Sequence, residues 1–426
     1  MNTITPIIEF AHAPHELPAD VRAHALRLLA DTLAVGAAGA ASREAAPVLR
    51  AASGWGQANE ARLLGGGWLP AHAAAFANGF SIHCLEWDAV HEPAVVHALS
   101  VVTSALLAAS DRKGGSTPVA FLTALAVGVD IASGLGLCAQ GAMRFFRPAT
   151  AGIIGATLAV ARLEGLDQAG MADAVGLAYS FLSGTMQAHV EASTALPLQI
   201  ANAARAAITA VDLARQGLDG PHDVLDGPFG YSALIEPIAM DDYLATLGTV
   251  WRISEVSIKP YPSGRASHGA LGALADLRDE GLVSLETVEE IELLAPPLIR
   301  RLVGRPFRPG APQSYNRLCL AFLAPLMLRD GLIDPRLDTS VDALCERVRV
   351  TLDDNPDRNA LSPQELVVHL KDGSTLRRAV AANPGSPQAP LETGRARTKY
   401  DLCRTLAPAA TDLIFTDPLA FATEPK

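Results

Sequence analysis

From Pro18 to about residue 250 the chain repeats one pattern, and that pattern fixes the fold class. Alanine-rich stretches carry leucine, valine or isoleucine at three- and four-residue spacing, and short glycine or proline breaks divide them. Val21 to Ala38 is typical, with Leu26, Leu29 and Leu33 set among alanines. Leu69 to Phe80, Val95 to Ser110, Pro118 to Leu137, Ile153 to Glu164, Met171 to Phe181 and Ile200 to Arg215 follow in the same style. A period near 3.6 selects helix over strand, and alanine loses no side-chain entropy on entering one. Aromatic residues make up 5% of the chain against 49% hydrophobic residues overall, so the core must be built from small aliphatic side chains.

The character changes after Lys259. Val288 to Leu294, Val348 to Leu352, Glu365 to Leu370 and Thr375 to Val380 are short β-like runs. The turn Asp372-Gly373 between the last two predicts a hairpin. Helices are expected at Ser267 to Glu280 and Gln313 to Asp330, and again in the tail from Leu391. At about 150 residues per domain, the length allows two. The expectation is a mainly α protein: a large all-helical domain (1–262, with 392–426 returning to it) and a smaller α+β lid domain (263–391).

Bulk properties narrow the functions. A net charge of −11 argues against nucleic acid as the partner, so cations for an anionic ligand must be concentrated locally. The five cysteines (Cys84, Cys138, Cys319, Cys345, Cys403) contain no Cys-x-x-Cys pair, which argues against zinc and iron–sulfur sites and against a disulfide framework. The first fifteen residues lack the basic and apolar regions of a signal peptide, and no uninterrupted apolar stretch of about 18 residues occurs. A cytoplasmic protein that engages no membrane is expected.

Three clusters could carry chemistry. Ile258 to His268 places Lys259, Arg265 and His268 within eleven residues of a chain that has only five lysines. Lys259 follows Val256 and Ile258, and a buried lysine loses the solvation that favours its ammonium form; an ordinary surface loop is the plainer alternative. Asn78 to His97 holds His83, His91 and His97 with Glu86, Asp88 and Glu92. Their spacing does not make a recognised metal motif, and Pro93 interrupts the helix. A loop in which Asp88 or Glu86 orients a histidine for acid–base work fits better, with helix caps as the bland alternative. Arg144 and Arg147 precede a helix expected near Ala149, whose N-terminus favours anions; a surface pair of arginines is the alternative.

Taken together, these segments resemble the MmgE/PrpD family, whose members include dehydratases, decarboxylases and epimerases of small acids. Its histidine-rich loop is matched by Asn78-Gly79, His83, Leu85-Glu86-Trp87-Asp88, His91 and His97, and its Lys-Pro-Tyr-Pro segment by Lys259 to Pro262 with His268. Asp31-Thr32-Leu33 resembles its first helix, and Pro384-Gly385 through Lys399 its C-terminal approach. The resemblance implies a helical domain made from both chain ends, a lid, a homodimer and an active site in the cleft between domains. It also implies chemistry on small di- or tricarboxylates without metal or cofactor.

Several family positions differ. Arg147-Pro148 stands where a His-Pro dipeptide is usual. Leu196-Pro197-Leu198-Gln199 replaces a segment with lysine and histidine, and Phe322 falls near a tyrosine position. Glu86 and Ala89 replace aspartates, and Ala98 a proline. On this footing Lys259 is expected to remove a proton beside a substrate carboxylate, with His97, oriented by Asp88, as its acid–base partner. Arg147 and Arg265 are expected to pair with substrate carboxylates, and His91, His268, Tyr261 and Ser263 to complete the binding site. Dehydratase-like elimination is the leading expectation. Epimerisation or racemisation of a dicarboxylic amino or imino acid is the second, and a non-catalytic homologue the third.

Overall fold

The computed structural model describes residues 3–340, 343–357 and 359–425. Its principal helices are α1 (Ile4–His12), α2 (Ala19–Ala40), α3 (Ala45–Ser53), α4 (Ala71–His83), α5 (Ala98–Arg112), α6 (Pro118–Leu137), α7 (Arg147–Leu163), α8 (Gln168–Ser180) and α9 (Ala195–Arg215). Then come α10 (His268–Asp279), α11 (Leu320–Asp330) and α12 (Thr393–Leu406). The chain is mainly α with a smaller α+β part.

Local chemistry sets the starts of these helices. Thr117 caps α6, its Oγ1 accepting from the Ala120 amide at 3.2 Å, and Pro118 occupies the first turn. Asp167 caps α8 in the same way, accepting from Gly170 at 2.8 Å. Helix α7 begins at Arg147, several residues before the periodic pattern, because Pro148 fits the first turn without needing a backbone donor.

Small residues then let the helices close together. A Cβ on Gly155 of α7 would sit 2.3 Å from the Gly128 carbonyl of α6. A Cβ on Gly39 of α2 would sit 1.9 Å from the Ser81 carbonyl of α4. Helix α6 is long and apolar enough to cross a membrane, yet 89% of its apolar window is buried inside the helical core. Asp130 in its middle accepts from the Tyr243 hydroxyl at 3.0 Å and the Arg252 amide at 2.9 Å. All five cysteines are buried.

One apolar core runs from Ile4 to Val256 and takes in Cys403, Ile414, Phe415, Phe421 and Ala422 from the tail. Helix α12 lies on α2, fixed by an ion pair of 2.6 Å between Lys399 and Asp31. A second core forms between Tyr261 and Val368 around a four-stranded sheet of β1 (Val288–Ala295), β2 (Val348–Leu352), β3 (Gln364–Leu370) and β4 (Thr375–Val380). The strand order is β2-β1-β3-β4. β2 runs parallel to β1 (Ile291 opposite Val348); β1/β3 and β3/β4 are antiparallel, with Leu293 opposite Leu366 and Leu366 opposite Arg378. The β3–β4 hairpin turns at Gly373, whose φ of +89° suits glycine.

One expected helix is interrupted. Gln313 to Asp330 divides into a short turn, Gln313–Asn316, and α11. At the break the Arg317 carbonyl accepts from the Gly264 amide at 3.0 Å, while the buried Arg317 side chain reaches Pro335 O at 2.7 Å. These tertiary bonds replace continuous helix at that point.

Candidate active site

The loop between α4 and α5 delivers the polar groups of the site. His83 ends α4 and His97 immediately precedes α5, so the fourteen residues from Cys84 to His97 bring both rings onto Asp88. Asp88 is fully buried. Its Oδ2 lies 2.9 Å from His83 Nδ1 and 3.0 Å from His97 Nδ1, and it accepts from the Ser100 hydroxyl. The two imidazoles meet edge to face at 4.7 Å. Lys259, also fully buried, donates to the Glu86 carbonyl at 2.9 Å and lies 3.4 Å from Glu86 Oε2 and 3.8 Å from Asp88 Oδ1. Glu86 (φ +53°) and Val95 (φ +54°) both adopt left-handed backbone, which is rare for such residues and especially for a β-branched one. Both line the adjoining cavity.

That cavity has about 540 Å³ of empty volume, open mouth included, between the helical core and the second core. His83, Glu86, His97, His189 and Arg265 give it polar atoms; Met143, Phe146, Met186, Leu196 and Leu302 make an apolar wall. A second concavity, at α1 and α8, is lined mainly by aliphatic residues.

The charges settle into a definite pattern. Burial opposes ionisation of Asp88, but His83 and His97 outweigh it and hold the carboxyl well below its ordinary range. Burial likewise works against ionised Glu86, and His83 and Lys259 overcome it. The histidines move apart. Burial lowers His97, with Lys259 adding to that and Asp88 opposing. In His83 burial is outweighed by Asp88 and Glu86, and its pKa rises. His189 is pushed down to about 4, first by burial and then by the nearby Arg305.

Of the expected site residues, Asp88, His97 and Lys259 come together as one cluster, with Arg265 at the cavity wall. The rest are placed differently. Arg147 is buried and makes a two-pronged pair with Glu236 (2.7 and 2.5 Å), so its guanidinium is already neutralised. Arg265 pairs with Glu92 at 2.5 Å and donates to Pro384 O at 2.8 Å. His91 turns from the cavity: Nε2 meets Glu255 at 2.8 Å, and Nδ1 accepts from the Ala94 amide at 3.2 Å. His268 is held at Ser263 Oγ (3.1 Å) and near Arg265 (3.3 Å), with its pKa driven far down by burial and then by Arg265. Ser263 is fully buried in that network, and the Tyr261 ring lies tilted 5.4 Å from that of His268, with its hydroxyl pushed up to about 12 by burial.

Sequence reasoning passed over His83 as a working group, and also His189, Arg305, Glu236 and Glu92 as the partner of Arg265. The five-residue interval between His83 and Asp88 was the available signal for the first. The others join through tertiary contacts with no local pattern.

The donor types of His83, Asp88 and His97, whose ligand atoms lie within 4.8 Å of one another, suit a divalent metal. Lys259 already places a fixed cationic side chain 3.8 Å from the shared carboxylate, which opposes a second cation there. The arrangement is better matched to proton transfer, since two imidazoles share one buried carboxylate and both residues line the cavity.

Fold and site thus define a two-part, helix-dominated protein with a buried His–Asp–His cluster between its cores. Residues 9–238 match the MmgE/PrpD N-terminal domain and residues 261–412 the MmgE/PrpD C-terminal domain; the chain belongs to the MmgE/PrpD family. It is similar to cis-aconitate decarboxylase of Homo sapiens, 28% identical over 378 residues (82% of this chain, 76% of the relative). The Mus musculus enzyme of that name is 27% identical over 354 residues (78% and 71%). The Aspergillus terreus enzyme is 25% identical over 434 residues (94% and 88%).

Proposed function

We propose that this protein is a lyase acting on a small di- or tricarboxylate, with proton removal beside a carboxylate as its central step. The observation that carries the reading is the convergence of two imidazoles, His83 and His97, on one buried carboxylate, Asp88, at the edge of the cavity. Each ring turns Nδ1 toward Asp88, which leaves Nε2 as the working atom. His97, held toward its neutral form, accepts the proton from carbon at Nε2. His83, held toward its cationic form, has a buried Nε2 that makes no hydrogen bond and faces Glu86 Oε1 at 3.7 Å; it donates to the oxygen on which charge develops or to the departing group. Lys259, expected from sequence to be the base, is given a different part: its ammonium secures Glu86 and Asp88 and so fixes both imidazoles. Family membership and the named decarboxylases support carboxylate chemistry.

An epimerase of a dicarboxylic amino or imino acid is the second reading, favoured by Leu196. It lines the cavity at the position where the family resemblance implies a lysine, so the far wall offers apolar contact where an eliminating enzyme would have another acid–base group. Incubation with candidate acids in D₂O, followed by NMR, separates the readings. Alkene formation supports the lyase; loss of carbon dioxide would keep a lyase but overturn proton removal as its central step, because decarboxylation leaves a carbanion that takes up a proton. Solvent-deuterium incorporation with inversion supports the epimerase. No exchange with any polycarboxylate would refute both and leave a non-catalytic homologue.

A further inference from the structure

A dianionic or trianionic substrate needs cationic donors, and those expected from sequence are occupied. Arg147 is neutralised by Glu236 and Arg265 by Glu92, while Lys259 is shared by Glu86 and Asp88. Arg305 is different. Its Nη2 donates to the carbonyl of His189, a cavity-lining residue, at 3.2 Å. Its Nη1 is buried with no hydrogen-bond partner, and among the described residues no carboxylate pairs with it. The guanidinium lies 4.9 Å from the Tyr315 ring centroid. An aromatic face holds a guanidinium in place without cancelling its charge, so the donors stay available to a ligand. Arg305 also feels the Glu86 carboxylate electrostatically, and Arg301 donates to the carbonyl of another cavity-lining residue, Met143, at 3.0 Å.

We infer that Arg305 is the carboxylate-binding arginine of this site, gripping a substrate carboxylate at the His189 end of the cavity while the reacting carbon faces His97. The inference rests on the polycarboxylate reading above. It makes Arg305 a determinant of substrate charge: acids with a second carboxylate are selected over monocarboxylates of similar size.

Calorimetric titration of the full chain with tricarballylate, a saturated tricarboxylate with no hydroxyl to eliminate, tests it apart from turnover. Arg305→Gln is expected to raise Kd by about 10-fold or more, Arg305→Lys by less, and the exposed same-charge control Arg300→Gln by under about 2-fold. Thermal melts accompany each variant; Arg305 is only partly buried at a loop, so its replacements should fold. Wild-type binding that Arg305→Gln leaves unchanged, or that Arg300→Gln weakens equally, overturns the assignment while the polycarboxylate reading stands. No wild-type binding of tricarballylate, citrate or succinate overturns both.

Discussion

Replacing Lys259 by methionine keeps most of the side-chain volume and removes one charge, so it isolates what the ammonium does. In the folded protein Nζ lies 3.4 Å from Glu86 Oε2 and 3.8 Å from Asp88 Oδ1, with no solvent exposure of its own. At an effective dielectric constant of about 20, each contact corresponds to a gross attraction of roughly 4–5 kcal/mol. Desolvation of the three charges cancels much of this, but Lys259→Met removes the cation and leaves both carboxylates buried. Loss of one partner from a buried pair costs about 3–5 kcal/mol, and that is the expected destabilisation at neutral pH.

The pH dependence makes the test sharper. Glu86 and Asp88 have folded-state pKa values below their ordinary ones. Their contribution is therefore present above the unfolded carboxylate range near 4 and is lost as pH falls through the folded values. The gap between wild type and Lys259→Met should be widest at neutral pH and shrink on acidification. Urea unfolding followed by circular dichroism at a series of pH values measures it. A gap under about 1 kcal/mol at pH 7, or one equally large at acid pH, would refute the electrostatic role and leave only packing.

His97→Gln should lower turnover by about 10²- to 10⁴-fold, the usual worth of a positioned acid–base group, while leaving tricarballylate binding within a few-fold. The pH profile of kcat/KM should be bell-shaped around 6.5. The acid limb falls below that value because His97, lowered by burial, must be neutral; the alkaline limb lies above it because His83, raised by Asp88 and Glu86 against burial, must be protonated. A single limb would remove one of the two roles. Arg147→Gln should cost about 3–5 kcal/mol in chemical denaturation by stranding Glu236, and the double variant with Glu236→Gln should recover part of it. Gly155→Ala should destabilise by about 1–3 kcal/mol through overpacking, because its methyl would meet the Gly128 carbonyl at 2.3 Å; an unchanged melting temperature would mean that α6 and α7 separate at little cost.

The parts of this protein that sequence made legible are those in which local and tertiary preferences agree. Helix α6 reads cleanly because Thr117 and Pro118 start it and its residues from Phe121 to Gly136 are buried on every face. The β3–β4 hairpin reads as cleanly because Asp372-Gly373 specifies its turn. The division of Gln313 to Asp330 was hidden, since it depends on the Gly264 amide reaching Arg317 across the fold.

The same distinction governs the site. Asp88, His97 and Lys259 stood out because chemistry-bearing residues are dense there in a lysine-poor chain. A charge in sequence, however, does not disclose its counter-charge. Glu236 lies 89 positions from Arg147, and Glu92 173 from Arg265. Those distant carboxylates turn two apparent anion-binding arginines into internal ion pairs. Arg305, inconspicuous in an arginine-rich segment, keeps its charge because Tyr315 supplies a ring where another residue would supply an acid. The pairing of each cation, set by the tertiary fold, therefore decides which of the many arginines can meet a substrate.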